Sequence, residues 1–131
     1  GHFVTLPWAP AWISVPAGTV FQLGAPLLCG WLLLRQGEPF GLPVGIAWCG
    51  LSLRQCGPYI ADASAQALPL LRVGAYEPNT HDWNWMLGGL GLLSFDGFLG
   101  GCASVIGTLL VLAGLVIGVV LVHTMARART P

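Results

Sequence analysis

The sequence predicts an all-α integral membrane protein with about three transmembrane helices and an irregular, partly helical interfacial loop region. Hydrophobic residues make up 55% of the 131-residue chain and charged residues only 8%. Together with a mean hydropathy of +0.75, this composition is wrong for a soluble domain. Three uncharged runs of 18, 14 and 25 residues compare with the ~20 residues that a helix needs to cross a bilayer. We therefore predict a single membrane domain over residues 1–131.

Charge and cysteine content limit the partners. The net charge is zero, lysine is absent and the five arginines are scattered, so the sequence offers no basic face to neutralise phosphates. We expect the lipid bilayer and other membrane protein subunits as partners, and no nucleic acid. The four cysteines have no C-x-x-C spacing, which favours packing as small apolar residues over a zinc site or a disulfide framework.

Residues 1–16 are expected to form an interfacial segment, because proline and tryptophan recur there and proline interrupts a continuous helix. The chain starts at Gly1 without an initiator methionine, which favours a processed or incomplete N-terminus. Residues 17–35 are predicted to form the first transmembrane helix. Gln22 and Pro26 lie inside it and should face a neighbouring helix, since the amide side chain needs a partner within the protein.

The second and third predicted crossings differ in length. Residues 40–56 include an uncharged run of only 14 residues, so a crossing there requires Arg54 to extend the helix and snorkel, or the bilayer to thin locally. Residues 99–123 lie in an uncharged run that no proline interrupts and are the clearest membrane helix.

Three glycines of the third crossing, Gly107, Gly114 and Gly118, follow one another at spacings of seven and four residues. Gly114-x-x-x-Gly118 is a small-residue pattern that lets another helix backbone approach closely, although glycine is also common in membrane helices generally. We predict that this face packs against a helix of this chain or of a partner.

Residues 57–98 are expected to lie at the non-cytoplasmic membrane face, because prolines interrupt them and they hold half of the formal charges. Tyr59 and Asp62 belong to a stretch predicted as a short interfacial helix. Asp82, or the threonine two residues before it, is predicted to cap a further helix, with Trp83 at the headgroup level. That helix should end in the glycines of residues 88–91.

The tail at residues 124–131 carries Arg127 and Arg129 and no acid. The positive-inside rule therefore predicts a cytoplasmic C-terminus, in a bacterial inner membrane. Three crossings then place the turn after Arg35 inside and residues 57–98 outside.

Scarce polar chemistry is concentrated at His81 and Asp82. An imidazole beside a carboxylate can form a metal-ligand pair, a proton relay or a hydrogen-bonded lock between elements, and all three readings stay open. The simplest interpretation is a helix cap with aromatic anchors. His81 or His123 as the axial ligand of a haem or chlorophyll metal is a further alternative to an interfacial histidine at a helix end.

Taken together, several of these residues resemble a family of uncharacterised bacterial membrane proteins related to site-2-protease-like zinc metallopeptidases. The resemblance covers most of residues 18–95. It is carried by Gln22 with Pro26, Trp48, Tyr59-Ile60-Ala61-Asp62-Ala63, Leu68-Pro69-Leu70, and His81-Asp82-Trp83 with Leu87.

In that family an H-E-x-G-H helix precedes the glutamine-bearing helix, and the opening Gly1-His2-Phe3 matches only the final Gly-His. The first histidine and the glutamate, a metal ligand and the general base, do not stand in this sequence. If they stand upstream, the resemblance implies His2 as a zinc ligand, with His81 or Asp82 supplying the third. Asp96-Gly97 resembles only loosely the aspartate-glycine ligand motif of such proteases.

Two functions follow. The one we favour is a non-catalytic integral membrane subunit within a larger membrane complex, for example a photosynthetic or respiratory one. It is supported by the glycine-faced helix, the interfacial tryptophans and the small number of polar groups. The alternative is a membrane zinc peptidase whose first catalytic motif is missing from this chain. Zinc is expected only in that alternative, and the chain as given is expected to bind no catalytic zinc.

Overall fold

In the computed structural model, residues 11–68 and 82–128 are described, with residues 11–16 and 82 described by their backbone only. These residues form helices and no strand, so the predicted all-α class is confirmed for the described part of the chain. The elements are α1 (Ala11–Arg35), α2 (Gly41–Ala61), α3 (Asp82–Gly89), a 3-10 helix (Leu93–Phe95) and α4 (Asp96–Ala128).

Two segments are long and apolar enough to cross a membrane. They are Ala17–Arg35 within α1 and Leu93–Ala128, which consists of the 3-10 helix and α4. α2 has 21 residues, which corresponds to about 31 Å of helix. Its sequence includes Arg54 and Gln55, and it is not one of the two apolar segments.

Helix α1 starts earlier than predicted. It begins at Ala11, whereas the first crossing was expected from residue 17, so the expected interfacial segment is helical over residues 11–16. Pro16 lies in this part of the helix. A proline near a helix start removes a single backbone hydrogen bond, which the rest of a long helix tolerates.

Helix α2 is longer than predicted, and the separate interfacial helix expected around Tyr59 is wrong. Tyr59 belongs to the last turn of α2, which continues through Pro58 to Ala61. The Asp62 N–H donates to the Pro58 carbonyl at 3.0 Å, which closes this turn. Pro58 has no N–H to donate to the Arg54 carbonyl, so α2 continues past it with one intrahelical hydrogen bond fewer.

Helices α1 and α3 end in the same way, with a glycine in the left-handed region. Gly37 has φ +82° and Gly91 has φ +69°, values that side chains with a Cβ rarely adopt. After Gly37, the Glu38 N–H donates to the Leu33 carbonyl at 3.0 Å. After Gly91, the equivalent bond joins Leu92 to Leu87 at 2.8 Å. Both ends are Schellman motifs, which satisfy carbonyls at the helix terminus.

α2 lies between α1 and α4 and runs antiparallel to both. This direction is seen in the contacts, since early residues of α2 lie next to late residues of each neighbour. Gly41 of α2 is next to Gly30 of α1, and Pro43 is next to Gly114 of α4. Helix α2 makes most of its helix–helix contacts with α4 and fewer with α1.

Helix α4 begins at Asp96 and ends at Ala128, beyond the predicted limits of residues 99–123 on both sides.

A small apolar core lies at one end of this arrangement, where α2 ends, α3 packs and α4 begins. It is formed by buried side chains of these three helices and of the turn after α2: Cys56, Ile60, Ala63, Leu87 and Ala103. In contrast, large apolar side chains point outward along α1 and α4, with Phe21 76% exposed and Val119 68% exposed. Along α1 and α4 many bulky apolar residues are therefore outside, whereas buried glycines of α2 and α4 face each other inside.

Candidate functional site

Polar side chains from three segments converge where α2 ends, α3 packs and α4 begins. We call this region the polar end: residues 62–68, 82–89 and 93–97. The chain leaves α2 at Asp62 and turns over residues 62–65. Gln66 then adopts φ +51°, a left-handed conformation that is uncommon for a residue with a side chain. Hydrogen bonds from the surrounding loop hold this conformation.

Asp62 organises that loop. Its Oδ1 accepts a hydrogen bond from the Ala67 N–H at 2.9 Å, and its Oδ2 accepts one from the Leu68 N–H at 2.8 Å. The Asp62 carbonyl accepts a third from the Gln66 N–H at 2.8 Å. Hydrogen bonds from N–H groups to a carboxylate are roughly twice as strong as neutral ones. Asp62 thus stabilises the strained turn, and it does so as a loop residue rather than on the short helix predicted for it.

Asp96 connects the loop to α4. Its Oδ2 accepts hydrogen bonds from the Ser64 hydroxyl and, at 2.9 Å, from the Ser64 N–H. Its Oδ1 accepts one from the Gly97 N–H at 2.6 Å. Asp96 precedes the predicted crossing at 99–123 and lies at the surface. The hydrogen bonds from Ser64, with that from Gly97, lower the pKa of this carboxyl below its ordinary value.

Asn84 connects α3 to the same loop, because its Nδ2 donates to the Ala63 carbonyl at 2.8 Å. On the neighbouring turn of α3, Leu87 is buried in the apolar core and Trp83 packs against it. Trp83 was predicted at the headgroup level, and here it is only partly exposed. The polar end is therefore held by the side chains of Asp62, Ser64, Asn84 and Asp96, beside a small apolar core.

The predicted metal ligands are described only in part. His2 and His81 lie outside the described residues, and Asp82 is described by its backbone alone, as the first residue of α3. Within the described residues, no group of three or more histidine, cysteine, aspartate or glutamate side chains is placed to hold a metal ion. The role of His2, His81 and Asp82 as zinc ligands therefore stays a prediction.

Gln22 finds a partner across the α1–α2 interface. Its Oε1 accepts a long hydrogen bond from the Cys56 Sγ at 4.0 Å. This partner is a cysteine that sequence reasoning treated only as a small apolar residue. No local pattern pairs the two, since 34 residues separate them in the chain. Ser64 and Asn84 were missed for the same reason, because their roles depend on partners far away in the sequence.

The three glycines predicted to form a packing face do not behave alike. A Cβ on Gly107 would lie 2.6 Å from the Gly50 carbonyl oxygen, and one on Gly114 would lie 2.7 Å from the Pro43 carbonyl oxygen. A Cβ on Gly118 would meet only the Pro43 Cβ, at an ordinary 3.8 Å. Gly107 and Gly114 thus contact α2 closely, whereas Gly118 borders open space.

That open space is a groove between the first turns of α2 and the last turns of α4. It has a volume of about 570 Å³ and is lined by apolar residues with His123 near one end. Tyr59, in contrast, is 42% exposed on α2 and lines no part of it. Among the described residues, the polar end and this apolar groove are thus sites of opposite chemistry.

Comparisons of the chain with protein-family models, curated proteins and solved structures gave no match. The site-2-protease-like resemblance therefore rests on the residues quoted for it and stays a prediction.

Proposed function

We propose that this chain is a non-catalytic integral membrane subunit with three crossings, which assembles with other membrane proteins. The observation that carries the proposal is the reversed distribution of side chains. The helix interfaces are made of glycine and other small residues, while large apolar residues such as Phe21, Phe98 and Val119 are 68–76% exposed.

In water this arrangement would be unfavourable, since burial of apolar surface stabilises a fold by roughly 25 cal/mol per Å². In a bilayer, lipid tails solvate the outward side chains, and helices associate through close packing of small residues instead. Ala17–Arg35 and Leu93–Ala128 are both long and apolar enough for such a setting. The described helices thus match what a lipid environment requires.

The third crossing is assigned to α2 because of its position. α2 lies antiparallel between α1 and α4, and its length of about 31 Å equals the roughly 30 Å of a bilayer core. Its charged residue, Arg54, is exposed and near the polar end, so its long side chain can snorkel to the surface. If α1 and α4 cross the membrane, α2, which packs between them, must cross it as well.

Assembly with other subunits is supported by the outward faces. Gly24 of α1 and Gly101 of α4 have no atom within 4 Å of a Cβ position, so another helix can approach either backbone. The arginine-bearing tail favours a cytoplasmic C-terminus in a bacterial inner membrane. The polar end would then be on the non-cytoplasmic side.

The topology is tested by labelling two single cysteines with a membrane-impermeant maleimide in intact spheroplasts. Ser64→Cys follows α2 and Gln36→Cys precedes it, in a parent whose four cysteines are replaced by alanine and which serves as the unlabelled control. We expect Ser64→Cys to react from outside and Gln36→Cys only after permeabilisation. Reaction of both from the same side would show that α2 does not cross, and the reverse pattern would invert the orientation.

The subunit role is tested by mild-detergent extraction followed by native electrophoresis and identification of co-migrating chains. We expect the chain to migrate with at least one other membrane protein in a stoichiometric band. Release from membranes by alkaline carbonate would contradict membrane insertion. Migration as the single chain, without partners, would contradict the subunit role alone.

The zinc-peptidase alternative has one observation in its favour. α3, which belongs to the polar end, begins at Asp82, the residue directly after His81 in the sequence. Elemental analysis of the purified chain, with His81→Ala as the matched variant, distinguishes the two functions. About one zinc per chain, lost in the variant, would favour the peptidase; wild type and variant without zinc would favour the subunit.

A further inference from the structure

Helix α2 keeps one face exposed although it lies between α1 and α4. The residues of this face recur at alternating spacings of four and three, and we call them the outer seam: Val44, Trp48, Leu51, Gln55 and Pro58. The first three are 47–54% exposed. Alternating spacings of this kind keep one face of a helix against a partner helix over several turns.

A charged side chain borders the outer seam inside the membrane. Arg54 stands next to Gln55 and is exposed. It precedes the end of α2 at Ala61 by seven residues, or about 10 Å of helix. If α2 crosses, the Arg54 backbone therefore lies within the roughly 30 Å hydrocarbon core. A charge at such a position is costly in lipid and is normally paired within protein.

The described helices place no counter-charge at this depth. Three acidic side chains are described, Glu38, Asp62 and Asp96, and each lies at or beyond the end of a long helix. The carboxylates of Asp62 and Asp96 accept hydrogen bonds within the polar end. In the part of the chain that the structure describes, no ion pair joins Arg54 to any of them.

A second copy of this chain does not supply the missing charge. Two copies that share one orientation in the membrane and meet through the same face bring like residues together at equal depth. Arg54 would then oppose Arg54, and like charges repel more strongly where the dielectric constant is low. The charge therefore favours a different protein as the partner.

A lipid headgroup is a weaker partner for Arg54 than a carboxylate at the same depth. Side chains of an α-helix tilt toward the helix start, which for Arg54 is toward Gly41 and away from the nearer membrane surface. Snorkelling to that surface works against this tilt and leaves Gln55 among lipid tails. A carboxylate on a neighbouring helix can instead accept two parallel hydrogen bonds from the guanidinium, and the Gln55 amide can bond to the same helix.

We propose that the outer seam docks a transmembrane helix of another membrane protein, and that an aspartate or glutamate of that helix pairs with Arg54. The proposal deepens the proposed subunit function and rests on it, since it names the helix face and the chemistry of the partner.

Photo-crosslinking in native membranes tests the docking, with p-benzoylphenylalanine in place of Leu51 in the full chain. We expect an adduct with another protein, on a transmembrane helix that carries an aspartate or glutamate within about two turns of the crosslinked residue. An adduct with lipid alone, with a second copy of this chain, or with a helix that has no acidic residue there would overturn the proposal.

Substitutions of Arg54 test the charge pair. We expect Arg54→Gln to reduce the adduct about tenfold, because a carboxylate would be left without its charged donor. Arg54→Lys keeps the charge and should retain most of the adduct. Arg35→Gln is the matched control, since it removes an exposed arginine from the end of α1, away from the outer seam. Equal adduct yields for Arg54→Gln and Arg35→Gln would overturn the charge pair.

The other two acidic residues of the chain, Glu77 and Asp82, have side chains outside the described part. Glu77→Gln and Asp82→Asn therefore enter the same assay, and both should leave the adduct unchanged. A fall as large as that of Arg54→Gln in either variant would assign the counter-charge to this chain and overturn the proposed partner chemistry.

Failure of the docking face and failure of the subunit function give different results. A partner band in native electrophoresis without the Leu51 adduct would overturn only the outer seam as the interface. Migration of the wild-type chain without any partner would remove the subunit function and the docking together.

Discussion

The two interfaces of α2 are built differently. Toward α4, Gly50 and Gly57 of α2 oppose glycines that recur every seven residues on α4: Gly100, Gly107 and Gly114. Toward α1, glycine contacts are confined to the end near the turn, where Gly30 meets Gly41 and Gly45.

The difference follows from the period of the small residues. A seven-residue repeat on both helices keeps the same faces together over many turns, so α2 and α4 remain close from the polar end to Gly114. α1 has no matching repeat, and toward its start the interface contains the polar pair of Gln22 and Cys56 instead. Continuous contact thus requires the same spacing on both partners.

The largest expected effect comes from Gly107→Leu, at the centre of the α2–α4 interface. Its Cβ would lie 2.6 Å from both the Arg54 nitrogen and the Gly50 carbonyl oxygen. These are backbone atoms that cannot rotate away, so the helices must separate. We expect a loss of about 3 kcal/mol or more in the free energy of unfolding, measured by denaturant titration in detergent micelles.

Gly101→Leu is the control for that variant, since it places leucine on the same helix with no atom within 4 Å. We expect it to change stability by no more than about 0.5 kcal/mol, as is usual at exposed positions. If both leucine variants lost the same stability, the close contact at Gly107 would not be responsible.

A smaller effect is expected from Gly30→Leu in the α1–α2 interface. Its Cβ would lie 2.8 Å from the Gly41 carbonyl oxygen and 3.1 Å from the Gly45 Cα. Because close contact there is local, α1 can tilt away at one end, and we expect a loss of about 1–3 kcal/mol. Gly24→Leu, on open surface of the same helix, is the control. A loss equal to that of Gly107→Leu would show that the two interfaces are equally rigid.

Removal of the hydrogen bond between Gln22 and Cys56 should reduce the free energy of unfolding by less than Gly30→Leu does. Gln22→Leu deletes a long bond of 4.0 Å to the Cys56 thiol and leaves a thiol, which is only weakly polar. Hydrogen bonds between membrane helices average about 0.6 kcal/mol, and we expect a loss of that size in the same unfolding assay. A loss above about 2 kcal/mol would show that Gln22 has a stronger role than this bond.

The smallest effect is expected at the polar end and only at low pH. Hydrogen bonds from Ser64 lower the pKa of Asp96 in the folded protein, so this group contributes stability above its ordinary pKa of about 3.9. The contribution is lost as pH falls below that value and the carboxylate is protonated. Stability measured between about pH 6 and 3 should show this loss in the wild type and less of it in Ser64→Ala. Identical pH profiles would contradict the role of the Ser64 bonds.

Helix existence was predictable, and helix boundaries were less so. Uncharged runs indicated α1, α2 and α4, and the glycines of residues 88–91 indicated the end of α3. The extension of α2 through Pro58 was missed, because proline was taken as a break, whereas α2 loses one backbone hydrogen bond there and continues. The heptad glycines of α2 were visible in the sequence, but their significance depended on knowing that α4 is the partner.

The sequence by itself determined that this chain is helical, apolar and rich in small residues, since these are properties of one segment at a time. The tertiary structure alone decided that Gly107 and Gly114 contact α2 while Gly118 borders a groove. It also decided that Asp96 receives its hydrogen bonds from Ser64, 32 residues away. Register between helices and bonds between distant segments depend on two parts of the chain simultaneously, and no local pattern of residues specifies such a pairing.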